Sequence, residues 1–326
     1  MAISSGQPVE YITPLSSRNS CALVSSNPLR RSDLKRNQNI SRTYSLERLK
    51  IGTTNIVAME NFICVQCGTQ FDETVEPPQR CPICEDERQF VRHNGQEWVT
   101  PAALAANHRN RRENEAPQLL GIGTEPEFAI GQRALLVQSS GGNLLWDCIS
   151  FLDDKTVLEV NARRGIRAIA ISHPHFYSSM VEWAERFDTQ IFLHGQDRQW
   201  IMRQSRRIRF WEGSTLPLWD GFTLINCGGH FEGATALHWP AGANGKGALL
   251  TGDIITVVQD RRYVSFMRSY PNLIPLGSPT IQRILERIEP FSFDQIFGGW
   301  WKANVSSDAK AAVARSAKRY LRATSR

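Results

Sequence analysis

The stretch Ile166-Arg-Ala-Ile-Ala-Ile-Ser172, followed at once by His173-Pro-His175, constrains this chain more than any other. Its first part alternates around a branched apolar face and predicts a buried strand. Its second part puts two imidazoles two residues apart where that strand ends. Extended backbone sends residues i and i+2 to one side, and Pro174 biases His173 toward extended geometry. Two imidazoles converging at a strand end suit a divalent metal such as zinc. The alternative is a pair of histidines satisfied by hydrogen bonds.

A second signal lies upstream, in Cys64-Val-Gln-Cys67-Gly68 and Cys81-Pro82-Ile-Cys84, with thirteen residues between the pairs. Each CxxC makes a knuckle whose thiolates point at one centre, and Gly68 and Pro82 suit tight turns. Four thiolates at this spacing form a closed tetrahedral site, expected to hold zinc. The segment resembles rubredoxin-like zinc ribbons, with iron as the redox alternative. Such a site folds a segment too small for its own core. The other cysteines, Cys21, Cys148 and Cys227, do not extend this into a disulfide framework, and the pattern suits a reducing compartment.

Composition excludes several classes. The net charge of +6 is concentrated at the N-terminus: residues 1–58 carry eight Lys/Arg and three Asp/Glu, which leaves +1 for the rest. The folded body is therefore near neutral, and no nucleic-acid partner is expected. No apolar run of about eighteen residues is present, so no membrane span is expected. Residues 1–58 hold ten serines and no periodic apolar face. They resemble a chloroplast transit peptide, which implies a stromal location; a mitochondrial or cytoplasmic protein with a disordered tail is the alternative.

The remaining chain divides by pattern. Residues 59–100 are the expected ribbon and residues 101–118 a polar linker or outer helix. Residues 119–326 form the main domain. There, Ala134–Gln138 and Asn143–Cys148 read as a hairpin. Lys155–Arg164, Ser178–Phe187, Arg198–Ser205, Thr280–Ile288 and Ser306–Leu321 read as helices. Strands are expected at Gln190–His194, Ile208–Trp211, Phe222–Asn226, Ala236–Trp239, Gly247–Leu250 and Asp294–Phe297. Strands and helices in both halves suggest an α/β fold, two sheets sandwiched between helices.

Two further strand ends carry chemistry. Cys227-Gly-Gly-His230 places a histidine on a Gly-rich turn, and Leu249-Leu-Thr-Gly-Asp253 ends a strand in a carboxylate. With His173-Pro-His175, the order and spacing of these motifs resemble the metallo-β-lactamase superfamily over roughly residues 119–321. The resemblance implies an αββα sandwich with metal at the strand ends. His173, His175 and His230 match the three imidazoles of that family's first metal site. Asp253 matches its bridging carboxylate, and Asp147 matches an Asp that often braces a ligand. Three of the second site's ligands are absent, because Tyr177, Ser178 and Trp300 stand at or near their positions. The resemblance thus implies a mononuclear hydrolase of a small molecule. Metal-bound hydroxide would attack an ester, thioester or lactone-like carbonyl, with Asp253 as fourth ligand or base and Tyr177 as a second catalytic group. His194 and Trp300 are candidate pocket residues. The alternative is a catalytically degenerate binding or regulatory protein on the same fold.

Overall fold

Period-two alternation gives each strand two faces, and here both are apolar, which requires cover on each side. In the computed structural model, which describes residues 58–324, seven strands form one sheet in chain order. They are β1 (Arg109–Ala116), β2 (Leu119–Glu125), β3 (Ala134–Val137), β4 (Leu144–Trp146), β5 (Ala168–Ala170), β6 (Gln190–His194) and β7 (Ile208–Trp211). Pairing is antiparallel as far as β4 and parallel from β4 to β7. Six strands form a second sheet, also in chain order: β8 (Thr215–Pro217), β9 (Thr223–Asn226), β10 (Thr235–Trp239), β11 (Ala248–Leu250), β12 (Gln295–Phe297) and β13 (Asn304–Val305). Only the β11–β12 pair of this sheet is parallel.

The alternation decides which side chain goes where. Leu135, Val137, Leu144 and Trp146 of the first sheet meet Leu224, Leu237, Trp239 and Leu250 of the second in one buried layer. Their neighbours Leu136, Leu145 and Ile169 point the other way, onto α2 (Asp154–Ala162) and α3 (Met180–Arg186). Ala236, Leu249 and Ile296 likewise face α4 (Ser278–Ile288) and α5 (Ala309–Thr324). The result is the four-layer αββα sandwich expected from the resemblance. Each fully buried Leu contributes about 1.5–3 kcal/mol, so the inter-sheet layer firmly fixes the two sheets against each other. That alignment brings the ends of β5 and β11 to the same rim, where ligands gather in sheets of parallel strands.

Two expectations are corrected. Residues 101–118, expected as a linker or an outer helix, are a helix followed by a strand. Pro101–Asn107 is a helix, α1, capped by the Thr100 hydroxyl accepting from Ala103 N at 3.2 Å. Arg109–Ala116 is the edge strand β1, paired along its length with β2. Charged side chains suit an edge strand because they discourage further pairing. Gly121 and Gly123 of β2 leave room for Trp301, where an added Cβ would come within 2.8 Å of the indole. Residues 195–200 form a 3-10 helix in place of the helix expected over 198–205, with Asp197 accepting from Gly233 N at 2.8 Å. The expected presequence, Cys21 included, lies outside the described residues apart from residue 58. No helix among the described residues is long and apolar enough to cross a membrane.

The ribbon is held by its thiols rather than by a core. Ile63–Cys64 pairs with Trp98–Val99. Ile83 is the only aliphatic side chain in its buried cluster. Cys64 Sγ lies 3.6 Å from Cys84 Sγ, and Cys67 Sγ lies 3.7 Å from Cys81 Sγ. Thiolates 2.3 Å from a tetrahedral zinc stand about 3.8 Å apart, so the cluster has the size such an ion requires. Ribbon and sandwich belong to one compact unit. Ser150 Oγ donates to Gly68 O at 2.7 Å, and Gln70 N donates to Ser178 O at 3.0 Å.

Candidate metal centre and its cavity

Three loops deliver four ligating residues to one point. His173 follows β5 with extended backbone, φ −171° and ψ 173°. Pro174 then opens a 3-10 turn, Pro174–Phe176. The two imidazoles are therefore brought together by a turn, not by the continued strand expected from the sequence; their ring centroids are 5.1 Å apart. His230 stands on the loop after β9, where Gly228 and Gly229 adopt φ of 65° and 92°. A side chain at Gly229 would press on Leu276 and Thr280 at 3.0 Å. Asp253 follows β11.

His173 Nε2 lies 3.2 Å from Asp253 Oδ2, while His175 Nδ1 and His230 Nε2 lie 3.6 Å from it. His230 Nε2 is 3.1 Å from His175 Nδ1. Nitrogen and oxygen donors on a tetrahedral zinc are separated by about 3.3–3.4 Å, and these distances bracket that value. His173 Nε2, facing the other donors, is buried without a hydrogen-bond partner, a donor the protein alone leaves unsatisfied. Three imidazoles and one carboxylate fit a divalent cation of the zinc type.

Electrostatics prepare the donors. Burial drives His173 down to about 4 against the pull of Asp253, and burial drives His230 well below the ordinary imidazole range. Both rings are therefore neutral at pH 7 and offer lone pairs. Burial opposes ionisation of Asp253, but the facing His173 and His175 outweigh it and hold the carboxyl well below its usual range. The ring nitrogens that face away are also fixed. His230 Nδ1 donates to Met267 O at 3.1 Å, and His173 Nδ1 lies 2.9 Å from Ser172 Oγ. Asp147 completes that line by accepting from Ser172 N at 2.7 Å. Burial raises the Asp147 carboxyl to about 8 despite the Ser172 hydrogen bonds. Asp147 thus braces His173 through Ser172, whose place beside a ligand was the signal sequence reasoning passed over. Supporting contacts of this kind are worth about 10–100-fold in metal affinity. Ser172→Ala is expected to cost that much at the sandwich site, with the four-cysteine site unchanged, as read by competition with a zinc-binding dye.

A cavity of about 150 Å³ opens on His175, His230 and Asp253. Trp300 lines it, its Nε1 donating to Ile130 O at 2.9 Å. The ribbon supplies an unexpected wall through Arg88, Gln89 and Phe90. Arg88, 4% exposed, donates to His230 O at 3.3 Å and to Asp86 Oδ2 at 2.9 Å, with its guanidinium 3.8 Å from the Phe231 ring. The ribbon therefore grips the loop that carries a metal ligand.

Two expected site residues lie elsewhere. Tyr177 does not line this cavity; the turn begun by Pro174 carries it into the buried cluster under the first sheet. It cannot act on a substrate there. His194 does not line the cavity either: its Nε2 donates to Gly213 O at 3.1 Å, and its ring meets Trp211 edge-on.

No family model matches the chain. YmaE, an uncharacterized protein of Bacillus subtilis (strain 168), is 48% identical over 267 residues, covering 81% of this chain and 97% of that protein. Among solved structures, DIM-1 metallo-beta-lactamase aligns over 66% of this chain and 98% of its own at 16% identity and a TM-score of 0.49. A metallo-beta-lactamase of Cronobacter sakazakii aligns over 68% and 95% at 17% identity and a TM-score of 0.44.

Proposed function

Because this chain belongs to the family of the Bacillus subtilis protein YmaE, whose name carries no activity, we propose a function from the site: a mononuclear zinc-dependent hydrolase of small ester, thioester or lactone-like carbonyls. The observation that carries it is the His173–His175–His230–Asp253 group standing at a cavity. Zinc bound there supplies Lewis acidity, polarising a carbonyl and lowering the pKa of its water toward about 7.

The chain's own residues supply the rest. His173, His175 and His230 hold the cation through their ring nitrogens. Asp253, its carboxyl held ionised well below the usual carboxylate range, lends its charge to the cation and orients the attacking water. Water's oxygen joins the acyl carbon, the bond from that carbon to the leaving oxygen or sulfur breaks, and a proton of the water ends on the leaving alcohol or thiol. Trp300 and Phe90 wall the cavity and favour an apolar acyl group. A single cation is supported by the fate of Tyr177, which stands in the core where a second metal's ligand would be needed. The four-cysteine site, closed by its thiolates, is structural zinc in this reading.

The test is a panel of p-nitrophenyl esters, thioesters and lactones offered to zinc-loaded protein and to His175→Ala. Zinc-dependent turnover in the first, reduced at least a hundredfold in the second, supports the reading. Binding without turnover across the panel would place the chain among degenerate binding proteins instead.

A further inference from the structure

The Arg88 side chain joins the two metal groups. It stands four residues after Cys84, just past the short helix Pro82–Glu85. Asp86, the residue that ends this helix, sets the direction of the guanidinium: its Oδ1 accepts from Arg88 N at 3.0 Å and its Oδ2 from Arg88 Nη2 at 2.9 Å. Nη1 is left for the sandwich, where it donates to His230 O at 3.3 Å and to Glu232 Oε2 at 3.4 Å. The Phe231 ring lies 3.8 Å from the same guanidinium. One side chain of the ribbon therefore touches three consecutive residues of a sandwich loop, the first of them a metal ligand. The main chain that carries it is anchored too. Ser269 Oγ donates to Arg88 O at 3.3 Å, and Asn272 Nδ2 donates to Glu87 O at 2.8 Å and to Gln89 O at 3.0 Å.

A guanidinium only 4% exposed has given up its water, so it stays in place only while Asp86 and the loop keep it paired. The aim of Asp86 depends in turn on the Cys81–Glu85 turn, which is set when four thiolates close on one cation. With the ribbon empty, that aim is lost, and the His230 loop must be ordered when a cation binds in the sandwich. With the ribbon filled, the ordering is already done.

We propose that the two metal groups are coupled: a cation in the ribbon raises the cation affinity of His173, His175, His230 and Asp253, and Arg88 is the positioning residue that carries the effect. Linkage makes it mutual, so that a filled sandwich site tightens the ribbon by the same factor. The inference rests on the metal centre of the proposed function and adds its regulation, since metal supply to the ribbon then controls the working site. It does not depend on which bond that centre cleaves.

The experiment measures the zinc dissociation constant of the sandwich site by dye competition on the full chain, in wild type, Arg88→Met, Cys67→Ser and the double variant. Cobalt substitution keeps the two sites apart, because thiolate-to-cobalt charge transfer belongs to the ribbon alone. Arg88→Met is expected to weaken the sandwich site about 10–100-fold, the range for a contact that supports a ligand, while the charge-transfer band stays as in wild type. Cys67→Ser, which empties the ribbon, is expected to weaken the sandwich site by a similar factor on its own, and by less than about threefold when added to Arg88→Met, because the two changes break one connection. A lowered charge-transfer band with an unchanged sandwich site is what a merely structural Arg88 would give, and it overturns the assignment. Where Arg88→Met melts early, Arg88→Lys, which keeps the stem and the charge but not the two-pronged pairing, repeats the comparison. Equal sandwich affinities in wild type, Arg88→Met and Cys67→Ser overturn the coupling, and losses that multiply in the double variant overturn Arg88 as its carrier; either result leaves the metal centre standing. A sandwich site that binds no zinc in wild type overturns the metal centre and the coupling with it.

Discussion

Cys67→Ser is expected to unfold residues 59–100 and, with them, one wall of the catalytic cavity. Beyond the thiols, the ribbon's own apolar packing is small: Phe71 and Trp98, with Trp200 and Met202 of the sandwich, cover the cluster. Its buried cluster is four thiols and Ile83, and a segment of this size seldom folds without a metal or disulfides. Structural zinc supplies about 10–16 kcal/mol in isolated zinc-finger peptides, and a hydroxyl is a poor replacement for one of four thiolates. Loss of the cluster frees Arg88 from His230 O and Phe231 and removes Gln89 and Phe90 from the cavity. Limited trypsin digestion reads the outcome, since Arg80, Arg88 and Arg92 lie in the affected stretch. Wild type should resist cleavage there, the variant should be cut there first, and its KM for small esters should rise. A variant that keeps its trypsin resistance would show that packing, not metal, folds the ribbon.

Asp253→Asn is expected to have the largest effect on turnover. The carboxylate is 4% exposed, faces three imidazoles within 3.2–3.6 Å, and has one oxygen free of partners. The amide keeps the shape but loses the charge that favours a cation and orients the attacking water. Misplacing the attacking water alone costs about 10²-fold, so kcat should fall by at least that factor, with weaker zinc binding besides. Saturating zinc separates the two effects: affinity recovers, and kcat does not. Full recovery of kcat at high zinc would reduce Asp253 to a ligand.

The ligating residues were legible because each ends an apolar run in a short motif: Ile166–Ser172 before His173, Phe222–Cys227 before Gly-Gly-His230, and Ala248–Leu250 before Asp253. Strand ends at one rim of a sandwich bring such residues together wherever the sheets pack face to face. Tyr177 was misplaced because Pro174 starts a 3-10 turn, in which successive side chains fan around an axis instead of alternating. The edge strand Arg109–Ala116 read as a linker because its polar sequence, suited to an exposed edge, has no apolar period. The ribbon's wall was invisible for a different reason. Arg88 meets His230 across 142 residues of chain, and local pattern carries no record of such a contact. Asp147 was placed near the site, but its partner Ser172 was needed to say how it acts.

Elemental analysis of purified wild type, Cys67→Ser and His175→Ala, with the metal counted per chain, tests the central claim most directly. Two zinc ions in wild type and one in each variant is the predicted result, the ion left in His175→Ala being the one held by thiolates. One zinc in wild type, unchanged in His175→Ala, would contradict it, because the three imidazoles and Asp253 would then share no cation.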